Sequence, residues 1–164
     1  MAALRWMALS LVLLVIFVIE TASGLTPSIL GFKIDVMIFF ISSVALFCGA
    51  KAGCVFGFAA GVLMDLSFSG VEGLFPLFFM IFGAVSGVLS EIYLRKLFQS
   101  MLFISAVCFL VLNFIVYICY YWLVYGVTVF SAMAKIIPEF LISAVFSPIP
   151  YFAVKKITER FPVL

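Results

Sequence analysis

Six long apolar runs separated by breaks of a few residues dominate this sequence, at about residues 7–23, 34–50, 52–68, 74–93, 101–125 and 136–154. A helix needs about 20 apolar residues to cross roughly 30 Å of hydrocarbon, so a chain of this length with short links has room for about six crossings. The breaks carry turn or charge signals: Gly24 to Gly31 with Pro27, Lys51, Ser69 to Gly73, Arg95-Lys96, Gly126 and Lys135. The second and third runs are almost continuous, and Lys51 between Gly49 and Gly53 is expected to mark a tight hairpin. The chain therefore reads as an all-α integral membrane protein, a single polytopic domain of about six transmembrane helices. Composition agrees, with 68% of residues apolar and 10% charged, where a soluble domain carries about 45–50% and about 25%.

Several function classes fall away on residue type. The sequence has no histidine, which removes imidazole acid–base catalysis, a Ser-His-Asp triad and the commonest transition-metal ligand. A scattered net charge of +2 offers no concentrated basic face for nucleic acid. Cys48, Cys54, Cys108 and Cys119 all lie inside apolar runs and form no CxxC pair, so they read as small hydrophobes. No nucleophile can be given a base, and no catalytic, metal or cofactor site is expected.

Orientation follows from the basic residues. With alternating helices and a cytoplasmic start, seven of the nine (Arg5, Lys51, Arg95, Lys96, Lys155, Lys156 and Arg160) fall inside, and only Lys33 and Lys135 fall outside. Both termini are therefore expected in the cytoplasm. The first run also has the outline of a signal peptide, with Arg5 before an apolar core and Thr21-Ala22-Ser23 before Gly24. An uncleaved first span is the preferred reading. Tyr117, Tyr120, Tyr121, Trp122 and Tyr125 gather at the predicted outer end of the fifth span, and Trp6 at the inner start of the first, as interfacial rings do.

The third run carries Gly53, Gly57 and Gly61 at intervals of four, with Asp65 next in the series. On a helix such a set forms one slanting stripe that admits another backbone at close range. Gly83, Gly87 and Glu91 repeat the device in the fourth run. Either stripe has two uses: packing the chain's own helices, or docking a helix from another protein. Asp65 and Glu91 are expected at opposite membrane faces, too far apart to act as a pair. Asp65 precedes a turn and is suited both to satisfying backbone donors there and to binding a partner. Glu20 and Glu139 also close apolar runs, and Glu139 after Pro138 suits a helix N-terminus. Asn113 is expected to bond to another helix, and Pro148-Ile149-Pro150 to kink the last one. Glu20, Asp35, Asp65, Glu72 and Glu139 are expected in the outer half, with Asp35 and Glu72 as outer-side site candidates, and Glu91 and Glu159 in the inner half.

With Gly57-Phe58-x-x-Gly61-x-x-x-Asp65-Leu66, a short Gly70 to Gly73 turn and another span, the chain resembles the rod shape-determining protein MreD family. The likeness covers the whole length, including Arg5, Asp35, the Arg95-Lys96 pair and a proline-bearing last helix ending in Lys155-Lys156. It departs at Ile34, where family members often place a proline before the acid. The resemblance implies a non-catalytic protein of the bacterial inner membrane that binds the single-span MreC. Through it, such a protein acts with MreB, RodA and the elongation class B penicillin-binding protein in lateral peptidoglycan synthesis. It also implies a fold similar to the substrate-capture subunits of energy-coupling-factor transporters, so capture of a vitamin or other small molecule is the alternative function.

Overall fold

The computed structural model describes residues 2–21, 35–67, 73–92, 98–116 and 139–160, and every element among them is a helix. In chain order these are α1 (Ala2–Thr21), α2 (Met37–Cys48), α3 (Ala50–Ser67), α4 (Leu74–Ile92) and α5 (Phe98–Val116). A helical segment over residues 139–146 follows, then a turn at Ser147 and α6 (Pro148–Arg160). Among the described residues, five stretches are long and apolar enough to cross a membrane: Leu4–Thr21, Ala50–Ser67, Leu74–Glu91, Phe98–Ile115 and Glu139–Arg160. The chain is thus an all-α, multi-pass membrane protein.

The second run departs from expectation. In place of a span over 34–50, α2 has 12 residues, which at about 1.5 Å each reach roughly 18 Å, well short of a roughly 30 Å core. Every residue from Met37 to Leu46 is buried. A helix that is apolar all round needs protein on all sides, and α1, α3, α4, α5 and α6 all pack against this one.

Gly49, not Lys51, makes the turn between α2 and α3. Its φ of 84° lies in the left-handed region open to glycine, while its N–H still donates to the Ala45 carbonyl at 3.0 Å. Lys51 is an exposed residue in the first turn of α3. Residues at similar distances from Gly49 meet across the fold: Ala45 lies against Gly53, and the Phe40 and Phe56 rings meet edge to face at 6.2 Å. The two helices therefore fold back as the hairpin that was expected, centred two residues earlier.

α3 and α4 run antiparallel with their backbones in contact. A Cβ built on Gly53 would strike the Gly83 carbonyl, one on Gly57 the Phe79 carbonyl, and one on Gly61 the Pro76 backbone. From the other side, Gly83 faces the Gly53 carbonyl and Gly87 the Ala50 backbone. Each step of four along α3 is met by a step of about four back along α4. Both glycine stripes are thus the two halves of one internal seam.

The remaining helices wrap this unit. α1 buries Leu9, Leu13, Ile16 and Glu20, a spacing of four, three and four that forms one helical stripe. α6 inserts Tyr151 between Phe47 and Phe98, with ring centroids at 5.3 and 5.2 Å. The expected break around Pro148 falls at Ser147, whose hydroxyl donates to the Ala144 carbonyl at 2.7 Å. The last helix then continues to Arg160, six residues beyond the span expected to end at 154. Residues 117–125 of the fifth run, with its aromatic group, lie outside the described residues.

Overpacking a tight contact costs about 1–3 kcal/mol, and the Gly57 contact is backbone to backbone. Gly57→Val should therefore lower stability by about 3 kcal/mol in thermal unfolding of the detergent-solubilised protein. The neighbouring Phe58 points outward at 51% exposure, and Phe58→Ala should change stability by less than about 0.5 kcal/mol.

Candidate functional site

The antiparallel packing sorts the charged residues to the two ends of the bundle. At one end Arg5 meets Cys48, and Cys48 meets Thr158, while Glu91 lies beside Gly49. Lys51, Lys155, Lys156, Glu159 and Arg160 belong to the same end by their places on α3 and α6. At the other end Glu20 contacts Val36 and Met37, Asp35 contacts Ser143, and Asp65 contacts Gly73. Glu139, one turn before Ser143, joins these acids. One end is predominantly basic and the other acidic, with the first and last described helical residues at the basic end. Lys33, Glu72, Arg95, Lys96 and Lys135 lie outside the described residues.

Two of the acids at the acidic end, Glu20 and Asp65, accept hydrogen bonds from backbone N–H groups. The Glu20 carboxylate, buried on α1, accepts hydrogen bonds from the N–H groups of Val36 and of Met37, the latter at 2.8 Å. These are donors that the start of α2 leaves without a partner inside its own helix, and the helix dipole adds attraction for a negative group there. Asp35 donates its own N–H to Ser143 Oγ at 2.9 Å, tying the start of α2 to the last span. Asp65 Oδ2 accepts from the Gly73 N–H at 2.7 Å, which is the turn contact expected of it. Asp65 and Glu91 stand at opposite ends, as expected.

The membrane-depth polar groups do similar work. Ser42 and Ser105 hydroxyls bond to each other at 2.7 Å, joining α2 to α5. Ser43 and Ser86 donate to the carbonyls of Phe39 and Phe82 on their own helices, at 2.7 and 2.6 Å. Asn113 was expected to reach another helix, but its Nδ2 donates to the Phe109 carbonyl at 2.9 Å, one turn back on α5. That bond satisfies one amide donor locally, on the residue's own helix. A cavity of about 290 Å³ lies between α4 and α5, lined by apolar side chains such as Phe78, Phe82, Phe103 and Val107. Ser86 also lines it, with its hydroxyl already committed to Phe82.

The sequence-derived site residues thus divide by place. Gly53, Gly57, Gly61, Gly83 and Gly87 come together in the α3–α4 seam, so neither stripe is free to receive a helix from another protein. Phe58 faces outward, and Asp65 and Glu91 mark the two ends of the hairpin. The residue that sequence reasoning undervalued is Glu20. Its signal was an acid closing an apolar run, but its partner is backbone 16 residues away. Among the described residues no group of three or more potential metal-ligating side chains comes together. In comparisons with known proteins, no family model, no curated protein and no solved structure matches this chain.

Loss of a helix cap costs up to about 2 kcal/mol. Glu20→Ala should cost close to that amount, with faster amide exchange at Val36 and Met37 by hydrogen–deuterium exchange, because these donors have little water to turn to. Glu20→Gln keeps a carbonyl acceptor and should lose less. Asp65→Ala breaks an exposed bond and should cost about 0.5–1 kcal/mol.

Proposed function

We propose that this chain is a non-catalytic component of a bacterial cell-elongation complex, resident in the inner membrane with the basic end of its bundle in the cytoplasm. In this reading its direct partner is the single-span MreC, with MreB, RodA and the elongation class B penicillin-binding protein in the wider complex. The observation that carries the reading is that Gly57 and Gly61, the glycines of the motif resembling MreD, lie in direct backbone contact with α4. A residue pattern required by helix packing belongs to the fold, and the fold leaves partners only the outer helix faces and the end residues.

Two further features support a positioning protein. Among the described residues, the hydroxyl, amide and carboxylate groups traced above hold helices and turns. The cavity between α4 and α5 is apolar, whereas small-molecule sites usually add a few convergent polar groups to fix orientation. This favours the scaffold over the small-molecule capture subunit, although a fold like that of the capture subunits remains part of the proposal.

Partner contact then falls on exposed faces. On α1 these include Leu4, Met7, Leu11, Leu14 and Val18, an alternation of three and four that forms a narrow apolar seam along one side. Depletion of the protein in a rod-shaped host should produce rounded cells, scored by microscopy. Cysteines placed at Leu11 or Leu14 should crosslink MreC, while cysteines at Gly57 or Gly83 should not. Rods of normal shape after full depletion would refute the elongation role.

A further inference from the structure

Arg5 is half-buried in the first turn of α1, where its Nη2 donates to Cys48 Sγ at 2.8 Å. Cys48 Sγ is in turn 3.9 Å from Thr158 Oγ1, so three helices converge on this arginine. A guanidinium has five N–H donors and never loses its charge, while a thiol sulfur is a weak acceptor. The bond to sulfur uses one of these donors, and none of the others is buried without a partner, so the rest of the fork is open to an anion arriving from outside the bundle. Two described acids share this end. Glu159 pairs with Lys155 at 3.9 Å, and neither it nor Glu91 forms an ion pair with Arg5. The exposed Lys51, Lys156 and Arg160 differ from Arg5, because water alone satisfies them.

The location narrows the identity of the counter-charge. The apolar window of α1 begins at Leu4, so Arg5 lies at the margin of the hydrocarbon, the depth of lipid headgroups. Trp6 stacks on Phe56 with ring centroids at 5.5 Å and planes 3° apart, which fixes the first turn of α1 and with it the place of Arg5. Leu4 and Met7 on either side are exposed apolar residues that suit acyl chains. The forked guanidinium matches phosphate oxygens two at a time. Around it the other described charges at this end are four basic against two acidic, a field that favours a headgroup with net negative charge.

We propose that Arg5 binds the phosphate of an anionic phospholipid from the surrounding leaflet, with Lys156 and Arg160 supplying the preference over a zwitterionic headgroup. The proposal stands independently of the elongation role, since it needs only the membrane and the basic end. Its test is native mass spectrometry of the full chain released from detergent with equal amounts of phosphatidylglycerol and phosphatidylcholine. The wild type should retain phosphatidylglycerol in preference. Arg5→Gln should weaken that retention about tenfold, as loss of hydrogen bonds to a charged group predicts. Lys51→Gln removes the same charge from an exposed position and should change it less than about twofold. Equal losses in the two variants, or none in Arg5→Gln, would overturn the proposal. Should Arg5→Gln fail to fold, Cys48→Ala gives the second reading: it frees the guanidinium and should preserve or raise retention, and a loss would show that Arg5 serves only to hold α2. Millimolar inorganic phosphate is expected to leave the bound lipid in place, and displacement by it would assign the site to a soluble anion instead.

Discussion

Everything in this bundle is arranged around a helix that lipid does not touch. α2 is too short to cross a membrane and is buried from Met37 to Leu46, so the backbone groups at its ends have little water to turn to, and unsatisfied ones cost several kcal/mol each. The chain answers at both ends. At the start, the Glu20 carboxylate reaches from α1 to take the N–H groups of Val36 and Met37. At the finish, the left-handed Gly49 turns the chain while its N–H donates to Ala45. These two devices permit a short, fully apolar helix at the centre, and the surrounding helices are placed by their contacts with it.

The α3–α4 seam is the second consequence. A buried central helix needs neighbours, and two helices whose backbones touch present to α2 a single compact wall instead of two separate ridges. Gly53, Gly57 and Gly61 against Gly83, Phe79 and Pro76 bring carbonyls close enough for Cα–H contacts, each weakly favourable. In a bilayer, where burial from water supplies no drive to bring helices together, this close packing is the main source of association. The seam is internal: five glycines and Ala50 engage from Ala50 to Gly61 on α3 and from Pro76 to Gly87 on α4, so the glycines of both stripes are occupied within the chain.

The period-four glycines were legible in the sequence because their spacing is itself the geometry of the contact. What they pack against was not, since a small-residue stripe looks the same whether its partner is in the chain or outside it. The length of α2 was hidden for a related reason. Hydropathy runs smoothly from Ile34 to Ala50 and reports how apolar a stretch is, while the helix ends are set by a carboxylate 16 residues earlier and by one φ angle. Lys51 drew the turn toward itself as the only charge in the region, yet a lysine fits the exposed first turn of a helix, and the conformation needed at the turn belongs to glycine. The last helix outran its expected end because Lys155, Lys156 and Arg160 can leave the hydrocarbon without ending helical structure, their long side chains extending toward water.

The distribution of polar groups bears on what the protein can do. Glu20, Asp65, Ser42, Ser43, Ser86, Ser105 and Asn113 all hold backbone or bridge helices. In a soluble enzyme such groups would compete with water and could be redirected to substrate, but at membrane depth Ser42, Ser43, Ser86, Ser105 and Asn113 are committed by the need to satisfy their neighbours. Arg5 is the exception, because its bond to Cys48 meets a hydrogen-bonding need without meeting a charge. A bundle built this way has its specificity at its rim and outer faces, where lipid and partner helices arrive, and its interior serves to keep those surfaces in fixed relation.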